Sequence, residues 1–528
     1  MDGGNIVFSL GESRGIDLSA LSWGHLSDPF LLGDMEEAVF RTRSALQKKE
    51  KVGIIGDYDA DGITGVAQLV RFFRRNGVEP LVILPHRERD GYGVKEEFIR
   101  SLHANGVSLL FTVDTGISAM QQTSLARSLG MDVIILDHHS PAPELPDAIL
   151  VHPALLTTNY SLLTHLSGSG VVFTFLRAFE NDWEEKNIDV ALAAIGTVAD
   201  VVPLLGENRT IVTLGLEAMN TGGDAPVFAL AHAVRKEGEE IRSSHIGFRI
   251  APRINAAGRL SDPLLSLHAL LEGGSKLSTL HTLNEERQDL LEEMLKIAEG
   301  ELDCSSPFLG LASASFHPGI VGLIAGKLTE RFGKPSIVGC ERENIITCSL
   351  RSVKGYDVTE ALRRHASHLS SFGGHALAAG CTLEKEKWND VTKLLQEDAQ
   401  SVLNLQNLLP TLTIDAVIDR SDLTLPFGQS LSLLEPYGAG NKEPLFLLRG
   451  QKLSGARSVG KEARHLQCFL GGVKAVGFGL GTLLPSLPEE ADIVCRLGIN
   501  TWNGRGEVQI FIEDIAKFSL ESVYAIGR

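Results

Sequence analysis

The stretch VGIIGDYDADGITG, residues 52–65, joins a short apolar run to three closely spaced acids. The apolar run stops at Gly56. Three aspartates, Asp57, Asp59 and Asp61, then follow at alternate positions, with glycines on both flanks. Neighbouring carboxylates repel one another, and this costs stability unless a cation lies among them. The stretch therefore predicts a buried strand, an acidic loop and the start of a helix, with a cation site at the end of the strand.

The alternation of apolar runs and helical segments continues to about residue 203. The runs LVIL (81–84), LLFTV (109–113) and VIIL (133–136) are short and bounded by Gly, Pro or Asp, which is typical of strands buried on both faces. Between the first two strands, apolar residues recur at helical spacing at Ile63, Val66, Leu69, Val70 and Phe73. This alternation predicts an α/β domain on a parallel sheet.

Beyond residue 274 the pattern changes twice. A proline-free run rich in Leu, Glu and Lys predicts a long connecting helix over 275–303, followed by a smaller α/β domain over 304–405. From residue 410, strand-like pieces alternate with turns, which predicts an all-β domain over 410–528. We expect these parts to follow an N-terminal lead-in segment (1–50) and a catalytic domain (51–274).

The chain is acidic. Its 528 residues carry 49 Lys and Arg against 66 Asp and Glu, a formal net charge of −17. Proteins that bind DNA are usually basic, so this charge argues weakly against a nucleic-acid partner. Net charge says little about local fields, however, and an enzyme that collects cations on carboxylates is acidic at that site. A nucleic-acid partner therefore stays open.

Cysteine usage and hydropathy favour the cytoplasm. The six cysteines show no CxxC spacing, which indicates neither a zinc ribbon nor a disulfide framework. The first residues lack the basic start and apolar core of a signal peptide, and no apolar run approaches the ~20 residues that span a bilayer. We expect a cytoplasmic protein without a membrane partner.

Acids follow further strands of the predicted sheet. Asp114 follows LLFTV, Asp137 with His138 and His139 follows VIIL, and Asp200 ends the apolar helical stretch before VVPL. Any one of these aspartates alone would more often be a helix cap, and a lone His138 a core or surface histidine. Functional groups of an open parallel sheet collect beyond the carboxyl ends of its strands, so we expect these groups to meet at one edge.

The types of side chain indicate which metal this edge would hold. Carboxylates with one or two imidazoles and no thiolate favour Mn²⁺ or Mg²⁺ over zinc. There are more acids than one ion needs. Two ions about 4 Å apart with a bridging carboxylate could share them, and this arrangement hydrolyses phosphate esters. We therefore expect two divalent cations, Mn²⁺ or Mg²⁺.

Four ordered motifs, GDYDADG, VDTG, DHH and GTVADVVPL, resemble those of the DHH phosphoesterase superfamily. Within that superfamily the chain resembles the bacterial single-stranded-DNA-specific exonucleases along nearly its full length. The segments APRINAAGRL (251–260) and FGGHALAAG (372–380) contribute to this likeness. The resemblance implies a DHH catalytic domain, a DHHA1 domain and a final OB-fold.

The resemblance also implies roles for the acids and histidines. Asp59 and Asp61 would ligate different metals, and Asp114 would bridge them. His138 and Asp200 would complete the shell of the second ion, while the catalytic His139 would face the substrate phosphate. The related pyrophosphatases have a histidine at the position of Ile55, so the first ion would be more hydrated, bound more weakly, or completed by Asp57.

Further residues are implied in binding phosphate. Arg259 would act in catalysis as a phosphate clamp, because a planar guanidinium contacts two phosphate oxygens at once. Its neighbours Arg253 and Asn255 would also contact the nucleic acid, although without the resemblance this motif could equally be a surface loop. In the DHHA1 domain, nucleotide phosphates would contact the side chains or backbone of Arg351, Ser352, Gly373, Gly374 and His375. The glycine pair could instead simply mark a turn.

The last domain carries the strongest run of positive charge. The segment RGQKLSGARSVGKEARH, residues 449–465, contains five Lys and Arg, among them Arg457, against one glutamate. Such a run is often only a solvated face. OB-folds, however, bind single strands with a basic groove and stacking platforms. We expect Arg457 to contact nucleic acid.

The resemblance implies a 5′→3′ exonuclease that acts on single-stranded DNA and releases nucleoside 5′-monophosphates. It also implies work in recombination and repair beside a RecQ-type helicase and the single-strand-binding protein. Two alternatives remain. A nano-RNase or cyclic-dinucleotide phosphodiesterase would share the catalytic motifs but usually lack the β-domain. A non-catalytic helicase subunit would typically have lost metal ligands, all of which are present here.

Overall fold

Three β-sheets with separate hydrophobic cores follow one another along the chain. The computed structural model describes residues 3–155, 163–179, 185–403, 412–502 and 505–517. The first sheet is parallel, the second is mixed and the third is mainly antiparallel. This confirms the predicted fold class, a parallel-sheet α/β domain joined by a long helix to a smaller α/β domain and then an all-β domain.

The first sheet has five parallel strands in the order β2-β1-β3-β4-β5. Its strands are β1 (Val52–Gly56), β2 (Leu81–Ile83), β3 (Leu109–Val113), β4 (Asp132–Leu136) and β5 (Ile149–Val151). Strands β1 and β3 are buried along their whole length, as expected for apolar strands covered on both faces. Because the strands are parallel, the residues that follow them meet at one edge.

Helices cover both faces of this sheet. The helices of the first domain are α2 (Met35–Lys48), α3 (Ala60–Arg75), α4 (Glu96–Ala104), α5 (Met120–Ser128), α6 (Gly168–Phe179), α7 (Lys186–Ala199), α8 (Gly206–Thr221), α9 (Pro226–Ala233), the single turn α10 (Ser243–His245), a π-helical segment (Ile246–Ile250), α11 (Ala251–Leu260) and α12 (Leu264–Glu272). The first helix of the chain, α1 (Gly3–Ser13), packs elsewhere. Helix α3 begins at Ala60, where the Asp59 carboxylate accepts hydrogen bonds from the backbone N–H groups of Asp61 and Gly62.

The predicted connecting helix is α13 (Ser275–Glu301). Near its start, Leu280 packs with Ala257 and Ala269 of the first domain. Near its end, Met294 and Ala298 belong to a hydrophobic cluster of the second domain. The helix therefore joins the two α/β domains by packing one end against each.

The second domain is a five-stranded sheet in the order β6-β7-β8-β10-β9. Its elements are β6 (Leu309–Ser313), α14 (Val321–Phe332), β7 (Ser336–Arg342), β8 (Ile345–Arg351), α15 (Val358–Arg364), β9 (Ser371–His375), β10 (Ala378–Glu384) and α16 (Trp388–Val402). Strand β9 is an exposed edge strand, so the GGH motif at its end faces away from the domain core.

The third domain is a seven-stranded sheet in the order β11-β12-β16-β17-β15-β14-β13. Its elements are β11 (Ala416–Val417), α17 (Leu425–Ser430), β12 (Phe446–Gln451), β13 (Leu453–Val459), β14 (His465–Leu470), β15 (Val473–Gly477), β16 (Ala491–Trp502) and β17 (Arg505–Lys517). The predicted boundary near residues 405–410 lies outside the described residues.

The N-terminal segment contacts the third domain, which the sequence did not predict. Ile6, Val7 and Leu10 of α1 join the hydrophobic core of the third domain. Arg14 then donates a hydrogen bond to Asp415 at 2.7 Å. Since α2 packs against the first domain, the first 48 residues tie the first and third domains together.

Two hydrogen-bonded contacts join the first and third domains directly. Arg209 of α8 donates to the carbonyls of Leu433 and Leu434, and the Leu204 N–H donates to the carbonyl of Ala439. The third domain is therefore held beside the helices that follow Asp200. Among the described residues, no helix is both long and apolar enough to cross a lipid bilayer.

Candidate metal centre and substrate cleft

The predicted acids meet at the carboxyl edge of the first sheet. The Asp57 N–H donates to the carbonyl of Val113 at 3.2 Å, and the Asp114 N–H donates to the carbonyl of Leu136 at 2.9 Å. The backbone hydrogen bonds of the sheet therefore continue one residue beyond the ends of β1 and β3. The acidic loop, Asp114 and the DHH motif therefore lie side by side.

Three overlapping groups of carboxylates and imidazoles form at this edge. In each group the candidate ligand atoms lie within 4.8 Å of one another, and the groups are Asp57, Asp59 and Asp114; Asp61, His138 and Asp200; and Asp114, His138 and His139. The first and third groups share Asp114, and the second and third share His138. A shared carboxylate between two clusters is the arrangement expected for a bridging ligand.

The distances around His138 show how close these groups are. Its Nε2 lies 3.1 Å from Asp114 Oδ1, 3.5 Å from Asp200 Oδ2 and 3.9 Å from Asp61 Oδ2. Burial lowers the pKa of His138, so its imidazole is neutral and can present a lone pair. A neutral imidazole among three carboxylates is a donor set for a divalent metal.

Several atoms of this cluster have no hydrogen-bond partner among the described residues. Asp57 Oδ1, Asp114 Oδ1 and His138 Nε2 are buried and form no hydrogen bond. Buried polar atoms are nearly always paired, because leaving one unpaired costs free energy. All three atoms are electron-pair donors, so a bound cation would satisfy each of them. The residues present therefore fit divalent metal binding.

The electrostatics of the cluster favour a cation as well. Burial and then the charge of nearby carboxylates raise the pKa values of Asp57, Asp59 and Asp114. The same causes raise the pKa of Asp200 to about 8. A divalent cation would stabilise the ionised form of each carboxyl group.

Asp61 is held by backbone donors at the start of α6. Its carboxylate accepts hydrogen bonds from the N–H groups of Gly168 at 2.7 Å and Ser169 at 3.0 Å. A Cβ at Gly168 would lie 2.6 Å from Asp114 Oδ1, and one at Gly196 would lie 2.3 Å from Asp61 Oδ1. Glycine at these two positions therefore makes room for the carboxylates.

Two residues of the site have positive φ angles, Asp114 at 58° and Val201 at 61°. Aspartate tolerates this left-handed region, but a β-branched valine there is an outlier that costs about 1–3 kcal/mol. Val201 directly follows Asp200 and is 70% exposed. Backbone strain of this kind clusters at functional sites.

Asp137 orients His139. Its buried carboxylate accepts hydrogen bonds from the N–H groups of Ile117, His138 and His139 and contacts His139 Nδ1 at 2.8 Å. Burial alone would lower the pKa of His139, but the hydrogen bond to Asp137 and its charge raise it to about 9. His139 is therefore a cationic group at the mouth of the cluster.

Tyr92 was not identified from the sequence. Its hydroxyl lies 3.4 Å from His139 Nε2 and 3.4 Å from the carbonyl of Asp114. The tyrosine follows β2 in LPHRERDGYG, so its place after a strand of the sheet was the only sequence signal.

Arg259 lies at the junction of the first two domains. Its Nη1 donates to the carbonyl of Gly319 at 3.0 Å. Burial, followed by the charges of Arg87, Arg287 and Arg351, lowers the pKa of Arg259 to about 9. Four arginines therefore lie close together beside the carboxylates. Their positive field suits the binding of an anion.

Arg87 and Arg287 were not identified from the sequence either. The Arg87 guanidinium lies over the ring of Tyr58 at 4.2 Å from the ring centroid. Arg287 lies on α13 and donates to Asn284 Oδ1. Arg87 follows β2, which is again a strand-end position, whereas Arg287 resembles any charged residue on a long helix.

A cleft of about 840 Å³ separates the first two domains. One wall carries Asp137, His139, Tyr58, Arg87 and Tyr92, and the other carries Arg351, Gly373, Gly374 and His375. The structure therefore brings four of the five residues named in the DHHA1 domain opposite His139. The fifth, Ser352, donates its hydroxyl to the carbonyl of Tyr356 and does not line the cleft.

The remaining predicted residues lie apart from this cleft. Arg253 donates to His281 Nδ1 and to the carbonyl of Arg249, so it joins α11 to the connecting helix α13. Asn255 accepts a hydrogen bond from the Ala60 N–H and so supports the acidic loop. Arg457 lies on β13 of the third domain and donates to Gln467.

Ile55 offers no ligand atom to the metal centre. Its fully buried side chain belongs to the hydrophobic cluster that contains Leu110 and Ile135. Asp57, two residues later, contributes the unpaired Oδ1 atom to the first group instead.

Family models match the three domains separately. The DHH family N-terminal domain matches residues 51–198, the DHHA1 domain matches 306–401, and the RecJ OB domain matches 414–514. Two curated proteins named single-stranded-DNA-specific exonuclease RecJ are similar over most of the chain. The Bacillus subtilis (strain 168) protein is 35% identical, over 97% of this chain and 68% of the relative. The Escherichia coli (strain K12) protein is 32% identical, over 92% and 90%.

Solved structures show the same fold. The crystal structure of RecJ from Thermus thermophilus in complex with Mn²⁺ matches with a TM-score of 0.83 and 31% identity, covering 97% of this chain and 76% of that one. The complex of that protein with Mg²⁺ matches with a TM-score of 0.79 and 30% identity, over 97% and 75%. With the acidic cluster, these likenesses define a metal-dependent hydrolase of the DHH class whose cofactor is Mn²⁺ or Mg²⁺. The chain belongs to the RecJ family.

Proposed function

We propose that this protein is a single-stranded-DNA-specific 5′→3′ exonuclease that releases nucleoside 5′-monophosphates by a two-metal mechanism. One observation carries the proposal: Asp114 belongs to two ligand groups, beside a cleft lined by arginines. The substrate is the one in the names of the relatives. The polarity rests on the family resemblance.

The two cations would occupy overlapping sites. Asp57, Asp59 and Asp114 would hold the first ion. Asp57 would supply a ligand that the apolar side chain of Ile55 cannot. Asp61, His138 and Asp200 would hold the second, and Asp114 would reach both. When bound, such a pair supplies a hydroxide nucleophile at neutral pH and stabilises charge on the phosphoryl oxygens.

The protein's own groups would bind and orient the phosphodiester. His139, held by Asp137, would place a cationic N–H donor toward the scissile phosphate. Arg259 would add a second positive charge from the domain junction. Donors fixed in advance where charge develops lower the barrier, because they need no reorganisation during the reaction.

The opposite wall of the cleft would hold the nucleotide. Arg351 and His375 offer charged or polar side chains, and the backbone of Gly373 and Gly374 can approach an anion closely. Arg87 and Tyr92, on the same wall as His139, would confine the end of the strand. These contacts would position one terminal nucleotide against the carboxylates.

The biological setting follows from the same proposal. We infer a cytoplasmic role in DNA recombination and repair, where a helicase of the RecQ type supplies single strands and the single-strand-binding protein covers them. The third domain supports a strand longer than a dinucleotide, because its basic run, including Arg457, lies outside the cleft.

One digestion experiment tests the proposal. Single-stranded oligonucleotides labelled at the 5′ or the 3′ end are incubated with the protein and Mn²⁺, and the first products are identified. A 5′-labelled mononucleotide released first, with a slowly shortening 3′-labelled strand, is the expected result. Release from the 3′ end, or cleavage of dinucleotides only, would reject the proposal in favour of another phosphodiesterase of the DHH class.

A further inference from the structure

A short loop of the second domain contacts the end of α11 in the first domain. We call this segment, residues 316–320, the HPG loop after His317, Pro318 and Gly319; it lies between β6 and α14. Hydrogen bonds within the loop fix its backbone. The N–H of Ile320 donates to the carbonyl of His317 at 2.9 Å, and the N–H of Gly319 donates to His317 Nδ1 at 3.1 Å. The loop therefore has a defined conformation.

Apolar side chains hold this loop against α11. Phe316 and Ile320 are fully buried in a hydrophobic cluster of the second domain, and Leu260, the last residue of α11, packs against that cluster. Met294 of the connecting helix belongs to the same cluster, and its sulfur accepts a hydrogen bond from the N–H of His317 at 3.5 Å. The contact between α11 and the HPG loop is therefore part of the packing that joins the first two domains.

The backbones of Gly319 and Arg259 lie too close together to leave room for a side chain at Gly319. A Cβ at Gly319 would lie 2.1 Å from the carbonyl oxygen of Arg259 and 3.0 Å from its carbonyl carbon. The φ angle of Gly319 is not positive, so glycine is needed here for space and not to relieve backbone strain. Alanine at this position would therefore push the HPG loop and α11 apart.

The same contact places the guanidinium of Arg259. Its Nη1 donates to the carbonyl of Gly319 at 3.0 Å. Three neighbouring arginines, Arg87, Arg287 and Arg351, carry like charges that repel this guanidinium. The negative end of the Gly319 carbonyl dipole offsets part of that repulsion, and a guanidinium has further N–H donors for an anion. Gly319 therefore anchors one side of the group that the proposed function assigns to the phosphate.

The end of α11 also touches the acidic loop of the metal centre. A Cβ at Gly258 would lie 2.8 Å from the carbonyl oxygen of Tyr58, the residue between Asp57 and Asp59. Two glycines thus allow three backbone segments to pack directly on one another: the acidic loop, the end of α11 and the HPG loop. The position of Arg259 relative to the carboxylates is therefore set by one close contact to each domain.

We propose that Gly319 is a positioning residue for Arg259, and that it directs the guanidinium toward the phosphate only when the second domain is seated on the first. The proposal rests on the proposed function, in which Arg259 binds the phosphodiester. It adds a residue of the second domain that does not line the cleft and acts on the reaction through Arg259. Seating of the two domains and assembly of the phosphate site are then one event.

A double-mutant cycle on kcat tests this relation, with a labelled single strand and Mn²⁺. Gly319→Ala should lower kcat by about 100-fold, the loss expected when a reacting group is misplaced by ~1 Å. In an Arg259→Ala background the same substitution should change kcat by about 2-fold at most, because the group that it displaces is gone. Gly326→Ala on α14 is the matched control and should keep full kcat, because a Cβ there would meet nothing within 4 Å.

Titration with Mn²⁺ separates this role from damage to the metal centre. Gly319→Ala should bind Mn²⁺ with the stoichiometry and affinity of the unmodified protein, because Gly319 packs on Arg259 and not on a proposed ligand. Weaker Mn²⁺ binding, an unchanged kcat, or equal fold losses in the two backgrounds would each overturn the positioning role. Full kcat in Arg259→Ala would reject the phosphate contact of Arg259, and this inference with it.

A binding cycle needs no hydrolysis, so it distinguishes failure of this inference from failure of the exonuclease assay. The affinity for thymidine 5′-monophosphate is measured by calorimetry without metal. Gly319→Ala should weaken it by at least about 10-fold, the effect of losing one hydrogen bond to a charged group, but should not weaken it in the Arg259→Ala background. Equal weakening in both backgrounds, or none in either, would overturn the positioning role whatever the enzyme cleaves.

His317→Ala provides a second variant in case Gly319→Ala does not fold. The His317 side chain is 31% exposed, and its removal takes away the acceptor of the Gly319 N–H. We expect a loss in kcat of about 10-fold, as for other partners that orient a functional group, and again almost no loss in the Arg259→Ala background. Equal losses in the two backgrounds would show that the HPG loop does not act through Arg259.

Discussion

The carboxylate of Asp137 lies 2.8 Å from Nδ1 of His139, and this contact fixes the ring of the histidine that faces the cleft. Burial alone would raise the pKa of Asp137, but the hydrogen bond with His139 lowers it to about 2. The pair therefore carries a buried negative charge behind a half-buried positive one. This charge arrangement gives the first prediction.

Asp137→Asn should reduce turnover roughly 10- to 100-fold, the range seen when the partner that orients a histidine is removed. The amide keeps the shape of the side chain but not its charge, so the imidazole loses its cationic form and its orientation. The measurement is kcat on a labelled single strand with Mn²⁺. Asp147→Asn, at a surface aspartate paired with Arg127, is the control and should keep full turnover. An Asp137→Asn enzyme as active as that control would contradict the role given to Asp137.

Asp114→Asn should stabilise the metal-free protein although it abolishes hydrolysis. Burial and neighbouring carboxylates raise the pKa of Asp114, so a neutral amide removes repulsion from the folded state. We expect Tm to rise by about 2–4 °C, the shift for about 1 kcal/mol in a domain of this size. Thermal unfolding with and without Mn²⁺ measures both effects.

Added Mn²⁺ should raise the Tm of the unmodified protein, because a ligand that binds only the folded state stabilises it. The same addition should change the Tm of Asp114→Asn much less. A variant that kept more than a tenth of the activity, or responded to Mn²⁺ as the unmodified protein does, would contradict a bridging role.

Arg259→Lys should lower turnover by about 100-fold, the lower end of the loss for one removed transition-state donor, although the charge is kept. A lysine is a point charge and cannot offer the parallel N–H donors of a guanidinium. Arg253→Lys is a matched comparison, because Arg253 faces His281 rather than the cleft. Steady-state kinetics should show a much smaller loss there, and equal losses would remove the special role of Arg259.

Removal of the third domain should separate hydrolysis from binding of long strands. All proposed metal ligands precede residue 201, and His375 closes the cleft, so a chain ending near residue 403 keeps the chemistry. Because α1 buries Ile6, Val7 and Leu10 in the third domain, residues 1–20 must be removed as well. Otherwise an exposed apolar helix would promote aggregation.

The shortened protein should cleave very short oligonucleotides at a near-normal rate and bind long ones weakly. For every phosphate that the protein no longer neutralises, the slope of log affinity against log salt should fall by roughly 0.7 on a single strand. Affinities for a long oligonucleotide over a salt series, for both forms, provide the measurement. Equal affinities and slopes would show that the third domain does not bind DNA.

Local sequence patterns predicted the elements that carry the acids. The run from Val52 to Gly56 is a strand buried along its length, and a helix follows the acidic loop, because both features depend on neighbours in the chain. Strand order then places Asp114 beside the acidic loop, as the rule for parallel sheets predicts. These features could be predicted because hydrophobic periodicity is local.

Contacts between distant segments could not be predicted in the same way. The apolar face of α1 indicates burial but not that its partner is a domain more than 400 residues away. Arg287 carries no signal on a helix rich in charges, and its place beside Arg259 depends on how two domains pack. Gly319 is likewise one glycine among many until the structure brings it against Arg259.

The central claim is that one carboxylate, Asp114, joins two cation sites. Electron paramagnetic resonance of the protein titrated with Mn²⁺ tests it most directly, because two Mn²⁺ ions that share a ligand are magnetically coupled and a single ion is not. We expect a coupled two-ion spectrum that saturates at two Mn²⁺ per chain, and only uncoupled Mn²⁺ in Asp114→Ala. Saturation of the unmodified protein at one uncoupled ion per chain would contradict the account.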